Sequence, residues 1–482
     1  MEAGAGPDPR RWRALALVCV AFFMVILDVA IVNVALPSIQ RDLDLSDSRL
    51  QWIVTAYSLA FGGFLLLGGR AADLLGRRRV FMVGMLLFIG GSLACGLSDS
   101  GTALIIFRAV QGLGGAIVSP ATLAIISAAF QHDIAERNKA FGIWGAVAGS
   151  GAAAGVLLGG ILVEYLGWEW IFFVNVPVGI GILALTPWLI SESRIEGADR
   201  RVDALAAVLV TSGLVLFVYA MSEAPREGWF TLQTIGLSII AVALVAAFFW
   251  REERSDAPLV PLHLFRIRPV LVANLSGLLL GGTIFGGFFL LTLYMQNILG
   301  YSPLETGFAF LATAGMTIPG AAIAQAVITK AGVKPVMMAG SVFVAFAYLW
   351  YTQLPSDGTY WKSLFIPFVI SGFGLAFMFI PMSLAALSRV EDRVAGIASG
   401  MLNTSQQLGG ALGVALISTV SIERTQALSN NGQPTPQDIT DGFNWGFAMA
   451  AVFALTAVYV AWVVLRRDDV PAAALQQHAP AG

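Results

Sequence analysis

Long apolar runs, each of roughly 18 or more residues and each closed by charges or turn formers, follow one another from residue 14 to residue 465. About 20 such residues carry a helix across the hydrocarbon of a bilayer, where backbone polar groups have no water and must bond within the segment. The pattern predicts an all-α polytopic membrane protein. Composition agrees, because 57% hydrophobic and 12% charged residues lie well outside the usage of soluble domains. Six runs lie near 14–36, 51–69, 80–97, 102–126, 140–163 and 170–190, and two near 203–222 and 231–250. Six more follow near 270–293, 305–328, 334–353, 362–386, 396–420 and 443–465, which makes fourteen candidate transmembrane helices. Arg10, Arg11 and Arg13 before the first run imitate a signal peptide, but no small-x-small cleavage site follows, so the run counts as span one.

With a cytoplasmic N-terminus, nearly all of the 28 Lys and Arg residues fall inside; the exceptions are Arg41, Arg49, Arg226, Lys362 and Arg424 outside and Arg108 within a span. Acidic residues divide almost evenly, so the bias belongs to the basic residues, as the positive-inside rule requires. The expected placement is a multi-pass protein of the plasma (inner) membrane with both termini cytoplasmic. A formal net charge of −2 offers no field for nucleic acid. Cys19 and Cys95 sit in apolar runs, and His132, His263 and His478 are scattered over cytoplasmic segments, a pattern that predicts no disulfide framework, no metal site and no enzyme constellation. No phosphate-cradling G-x-x-x-x-G-K-[ST] loop occurs, so no cofactor and no direct ATP hydrolysis are expected.

The chain repeats itself. Gly76 and Arg78 match Gly332 and Lys334, Gly112, Gly114 and Ala116 match Gly372, Gly374 and Ala376, and Gly142 and Ile143 match Gly396 and Ile397, all at nearly equal separations. A parallel repeat of six-helix halves is a transporter architecture with its substrate site near the midplane between the halves. The expected organisation is an N-terminal six-helix lobe over 1–195, an inserted pair of helices with its linkers over 196–262, a C-terminal six-helix lobe over 263–470 and a tail over 471–482.

Several motifs resemble those of a known family. Gly69-Arg-Ala-Ala-Asp73-Leu-Leu-Gly76-Arg77-Arg78-Arg79 resembles the loop signature after span two in the major facilitator superfamily, and Arg108-Ala-Val-Gln111-Gly112-Leu-Gly114-Gly115-Ala116 resembles its span-four motif. Leu27-Asp28-Val-Ala-Ile-Val-Asn33-Val-Ala-Leu-Pro37 is similar to the span-one motif of its fourteen-span drug:proton antiporters. The runs Gly167–Pro177 and Gly400–Gly410 also look like that subfamily. The resemblance implies the major facilitator fold and proton-coupled efflux of amphipathic small molecules by alternating access. Span five departs from the antiporter pattern, with Ala152 and Val156 where prolines would stand, which removes proline kinks there. An exporter dedicated to one metabolite, lipid or antibiotic, or a facilitator without antiport, remains an alternative.

Asp28 is the only carboxylate expected within the apolar core. Burial penalises its ionised form, makes the neutral form accessible and suits it to carry a proton. Arg108 has Gln111, Gly112, Gly115 and Ser119 on one helical stripe, which should face protein or water; as a permanent cation it would tune carboxylates, contact substrate or hold helix ends. Gly69, Asp73, Gly76, Arg77 and Arg78 would form a conformational gate, the role the resemblance implies, since charges at helix ends can tie neighbouring helices in one facing state. Gly151, Gly155 and Gly159 make a small-residue ridge for close helix packing. The second half has no acid or arginine matching Asp28 or Arg108, whose repeats fall near Ile284 and Phe368. Candidate substrate contacts are Asn33, Tyr57, Gln111, Trp144, Asn274, Phe285, Phe289, Tyr294, Phe373, Phe377 and Met378, a mixture of aromatic area and polar handles suited to a neutral or monocationic amphiphile.

Overall fold

Glycine turns, caps and prolines divide the apolar runs into helices. The structure is a computed structural model that describes residues 9–130, 133–193, 203–255, 258–260, 262–390, 395–429, 432–466 and 469. The expected tail, His132 and His478 lie outside the described residues. The helices in chain order are α1 (Arg11–Asp42), α2 (Asp47–Leu75), α3 (Arg77–Gly96), α4 (Gly101–Ala129), α5 (Ile134–Leu166), α6 (Trp170–Phe173), α7 (Asn175–Leu189), α8 (Ala204–Glu227), α9 (Leu232–Arg254), α10 (Arg268–Leu293), α11 (Pro303–Ala331), α12 (Val333–Tyr351), α13 (Phe365–Leu387), α14 (Ala395–Leu428) and α15 (Pro436–Val463). No strand occurs among the described residues. By length and composition, 12 segments among these residues can cross a membrane. The expected runs 140–163 and 396–420 are outside that set. They fall within α5 and α14, helices of 33 and 34 residues, and polar residues such as Asn403-Thr-Ser-Gln-Gln407 dilute the hydropathy of α14.

From sequence alone, the two prolines and several Asn and Gln of Glu423–Asp441 suggest a long exterior loop, but the connection is much shorter. The α14 helix runs on to Leu428, and α15 begins at Pro436 behind a capping box in which Thr435 and Asp438 exchange side-chain and backbone hydrogen bonds. Ser302 and Glu305 build the same device at the start of α11.

The sequence repeat is a structural one. Gly76, between α2 and α3, has φ +111°, and Gly332, between α11 and α12, has φ +82°; both turns need a backbone that side chains disfavour. Gly112 of α4 lies on the Tyr57 carbonyl of α2, as Gly372 of α13 lies on the Thr313 carbonyl of α11. Gly114 meets Phe88 of α3, and Gly374 meets Val344 of α12. The α1/α5 contact also recurs as α10/α14: Gly155 and Gly159 approach the carbonyls of Leu27 and Ile31, and Gly409 and Gly413 those of Leu278 and Gly282. This register places Leu279, rather than the expected Ile284, opposite Asp28. Both are apolar, so the charge is confined to the first half.

Helices α1–α7 pack mainly among themselves, as do α10–α15, and the two sets meet where α2 lies against α14 and α5 against α11. The α8–α9 hairpin lies against α2 and α14. The ridge of Gly151, Gly155 and Gly159 seats α5 on the stretch of α1 that carries Asp28, and a Cβ at Gly155 would stand 2.8 Å from the Leu27 carbonyl. Gly155→Leu should therefore destabilise the protein by about 1–3 kcal/mol, the usual cost of overpacking. Gly142→Leu should be close to neutral, because nothing lies within 4 Å of that position. Thermal unfolding of the two purified variants in detergent measures the difference, and equal melting temperatures would reject the packing role of Gly155.

Candidate functional site

The buried centre is assembled from six helices. Asp28 of α1 is 0% exposed and Arg108 of α4 is 1% exposed. Arg108 Nη1 donates to Asp28 Oδ2 at 2.6 Å and to Gln111 Oε1 at 2.7 Å, while Gln111 Nε2 donates to Asp28 Oδ1 at 2.8 Å. Arg108 and Gln111 are three residues apart, hence on one helix face. Arg108 Nε reaches the Ile53 carbonyl of α2 at 3.2 Å. The guanidinium carbon stands 4.3 Å from the Tyr57 ring centroid and 5.7 Å from that of Phe172, where ring quadrupoles favour a cation. Asn175 of α7 adds a third donor, its Nδ2 lying 3.1 Å from Asp28 Oδ1 and 3.1 Å from Ser92 Oγ of α3.

Asp28 is thus not the lone carboxyl expected from the sequence, because a cation and two amide donors face it. Gln111, expected on the substrate wall, is instead a full member of the charge cluster and is 0% exposed. The repeat positions are apolar: Phe368 lies in an aromatic group with Phe310, Tyr351 and Tyr360.

Around Gly76, Arg77 Nη2 pairs with Asp73 Oδ1 at 3.0 Å. The backbone N–H groups of Arg78 and Arg79 donate to the Glu192 carboxylate at 3.1 and 3.2 Å. Glu192 lies just beyond α7 and thus caps the N-terminus of α3, whose dipole favours an anion. Sequence reasoning missed Glu192; the only signal was an acid at the end of span six facing three arginines. A Cβ at Gly69 would stand 3.3 Å from the Pro120 side chain of α4. The described partners of this cluster belong to α2, α3, α4 and the end of α7, the first half of the molecule.

The expected substrate wall divides. Trp144 is half-buried, stacks on Phe22 with centroids 4.0 Å apart and donates to Thr122 Oγ1 at 3.1 Å. Phe285 and Phe373 are half-buried, against Gly410 and Gly320. Tyr57, Phe289, Tyr294, Phe377 and Met378 are core side chains in this state, and Tyr294 donates to the Pro355 carbonyl at 2.6 Å. Asn274 donates to Val270 O and accepts from Ser405 Oγ of α14. Asn33 donates to Val29 O one turn back.

The two halves touch near the start of α14, where Gly400 lies against Leu66, and are hydrogen-bonded toward the end of the bundle remote from residue 11. There Gln296 Nε2, in the π-helical turn after α10, donates to Val34 O of α1 at 2.8 Å, and Ser418 of α14 donates to Gln51 of α2. A Cβ at Gly160 of α5 would stand 2.8 Å from the Pro303 carbonyl, and one at Gly307 of α11 2.8 Å from the Val156 carbonyl. Toward the other end, Gly142, Gly145 and Gly315 meet nothing within 4 Å.

Two parallel-repeated helical halves, meeting at a seam beside a buried charge pair, define a membrane transporter of the two-lobe class. The model of the Major Facilitator Superfamily matches residues 18–414, and the chain belongs to that superfamily. It is 40% identical over 95% of its length to the puromycin resistance protein of Streptomyces alboniger, of which it covers 92%. Against the tetracenomycin C resistance and export protein of Streptomyces glaucescens the identity is 36%, covering 87% of this chain and 78% of the relative. The cephamycin export protein of Amycolatopsis lactamdurans is also 36% identical, over 92% of this chain and 90% of its own length. In fold it resembles a crystal structure of an auto-inhibited POT family peptide transporter (TM-score 0.69, 14% identity, 94% of this chain and 98% of that one). It also resembles a bacterial homologue of the human lysosomal transporter Spinster, inward-facing and unoccupied (TM-score 0.64, 17% identity, 99% and 100%).

Breaking a buried ion pair from one side strands the other charge, at a cost of about 3–5 kcal/mol, whereas removing both costs far less. Arg108→Gln should therefore lower stability strongly, and Asp28→Asn combined with Arg108→Gln should recover most of the loss. Chemical denaturation in detergent measures the cycle; additive losses would mean that the two side chains do not act as a pair.

Proposed function

We propose that the protein is a proton-coupled efflux transporter of fourteen spans that exports amphipathic small molecules across the plasma membrane. The lobes are residues 1–195 and 263–470, and 196–262 form the inserted pair. Counting α6 and α7 as one span and including α5 and α14 brings the spans to fourteen, an even number that keeps both termini cytoplasmic. Relatives named for resistance to or export of puromycin, tetracenomycin C and cephamycin support a small-molecule cargo moving outward.

The observation that carries the coupling is the ion pair of Asp28 and Arg108, 2.6 Å apart and sealed from solvent. In this reading the ion pair, with the outer end closed by Gln51, Gln296, Gly160 and Gly307, is the inward-facing step that takes up cargo. When the outer end opens, a proton from outside converts the Asp28 carboxylate to the neutral acid and releases Arg108 from its ion pair. Arg108 keeps Ile53 O, Gln111 and the Tyr57 face as partners, so the cation is not stranded. Return to the inward state gives the proton to the cytoplasm and restores the pair. Each charge that crosses gains about 2.3 kcal/mol per 100 mV of membrane potential. Because Asp28 is committed to Arg108, cargo binds by apolar area and hydrogen bonds at Trp144, Phe285, Phe373, Asn33 and Asn274 rather than by direct pairing with the carboxylate.

Asp28→Asn cannot release a proton, so proton-gradient-driven export should fall to background in everted vesicles while the protein still inserts and folds. Undiminished gradient-driven export would remove Asp28 from the mechanism. A dedicated exporter of one compound is the second reading, favoured because these relatives are each named for a single antibiotic; a panel of cargoes in the same vesicles separates the two. At the cytoplasmic turn, Asp73→Asn should slow exchange between facing states more than it weakens cargo binding, because it frees Arg77. Single-molecule distances across the outer end report that rate, and an unchanged rate would reject the latch.

A further inference from the structure

The segment Gly167–Pro177 delivers one polar side chain to the charge cluster, and the hydrogen bonds around that side chain have a fixed direction. Helices α6 and α7 are separated at Val174, and Asn175 opens the second of them, 1% exposed. Ser92 Oγ donates to the Phe172 carbonyl at 2.8 Å, which uses its one proton. Ser92 can then only accept from the neighbour 3.1 Å away, so the Asn175 atom facing it must be the amide nitrogen. The same nitrogen faces Asp28 Oδ1 at 3.1 Å. Asn175 thus presents a donor to Asp28 and no acceptor, and a donor stabilises the carboxylate rather than the acid.

We propose that Asn175 is a positioning residue for the proton carrier, held by Ser92 and Phe172 so that its amide sets the pH at which Asp28 takes up and gives back its proton. The proposal rests on the reading of Asp28 as that carrier. The other titratable groups acting on the cluster are Arg108 of α4, Tyr57 of α2 and Cys95 of α3. Helices α6 and α7 contain no titratable side chain. The remaining neighbours of α1 carry ionisable residues toward their ends only: Asp47, Arg49, Arg70 and Asp73 on α2, Arg77 to Arg79 on α3, Glu136, Arg137, Lys139, Glu164 and Tyr165 on α5, Arg268 on α10, and Glu305 and Lys330 on α11. The Arg108 guanidinium and the Gln111 amide, the latter on the same Oδ1, are the other donors to Asp28, so the Asn175 amide is one of three.

The test needs no cargo. Infrared difference spectra of the full-length protein in lipid nanodiscs, titrated between about pH 4 and pH 9 around the ordinary carboxyl range, follow the protonated-carboxyl band that Asp28→Asn removes. In Asn175→Leu the midpoint of that band should move to higher pH by about one unit, the equivalent of one hydrogen bond to a carboxylate. Asn175→Gln, which keeps an amide donor, should restore most of the shift. Ser92→Ala leaves Asn175 in place but frees its amide, and it should move the midpoint in the same direction by less. This second variant keeps the test informative if Asn175→Leu does not fold. An Asp28-dependent band whose midpoint is the same in wild type and in these variants would overturn the role of Asn175 while leaving the carrier intact. Absence of any such band in the wild type across the titration would overturn the carrier reading, and this proposal with it.

Discussion

An arginine that cannot lose its charge, buried beside a carboxylate that can, is the constraint around which the first half of this molecule is arranged. Neither ion would be tolerated at that depth without polar partners, so the helices must bring a full set of them to the pair. The α2 helix provides the Ile53 carbonyl and the Tyr57 face, α4 provides Gln111 one turn beyond Arg108, and the break between α6 and α7 provides Asn175. Each contribution requires backbones closer than ordinary side chains permit. That explains the glycines around the pair: Gly112 and Gly114 let α4 sit on α2 and α3, and Gly151, Gly155 and Gly159 let α5 sit on α1.

The second half repeats the scaffold without the charges. Gly372 and Gly374 make the same approaches, but the place of Arg108 is taken by Phe368 among other rings. Packing is shared between the halves, whereas the ion pair belongs to one of them. Any rearrangement of the charged lobe therefore reaches the other through the seam, where Gln296 meets Val34 and Ser418 meets Gln51.

Much of this was legible in the residues. Apolar runs locate spans because hydrocarbon admits little besides helices, and the repeat was visible because close approach and positive φ both demand glycine at corresponding positions. The pairing of Asp28 with Arg108 was not legible, since 80 positions separate them and periodicity describes a helix's own faces rather than its neighbours. Glu192 and Asn175 were missed for the same reason: each acts on an element distant in the chain. The span ends near 423–441 were misjudged because a proline that suggested a loop, Pro436, instead opens a helix behind its capping box.

The α8–α9 hairpin gives the molecule two unlike flanks. It leans on α2 through Thr211, which abuts Gly63, and on the far end of α14 through the bond from Thr419 to Met221 O and that from Trp229 to Glu423. The α2/α14 joint is thus shielded by an extra pair of helices, whereas α5 and α11 meet with no such screen among the described residues. In the plane of the bilayer one joint between the halves is covered by an added hairpin, and the other faces the surrounding lipid directly.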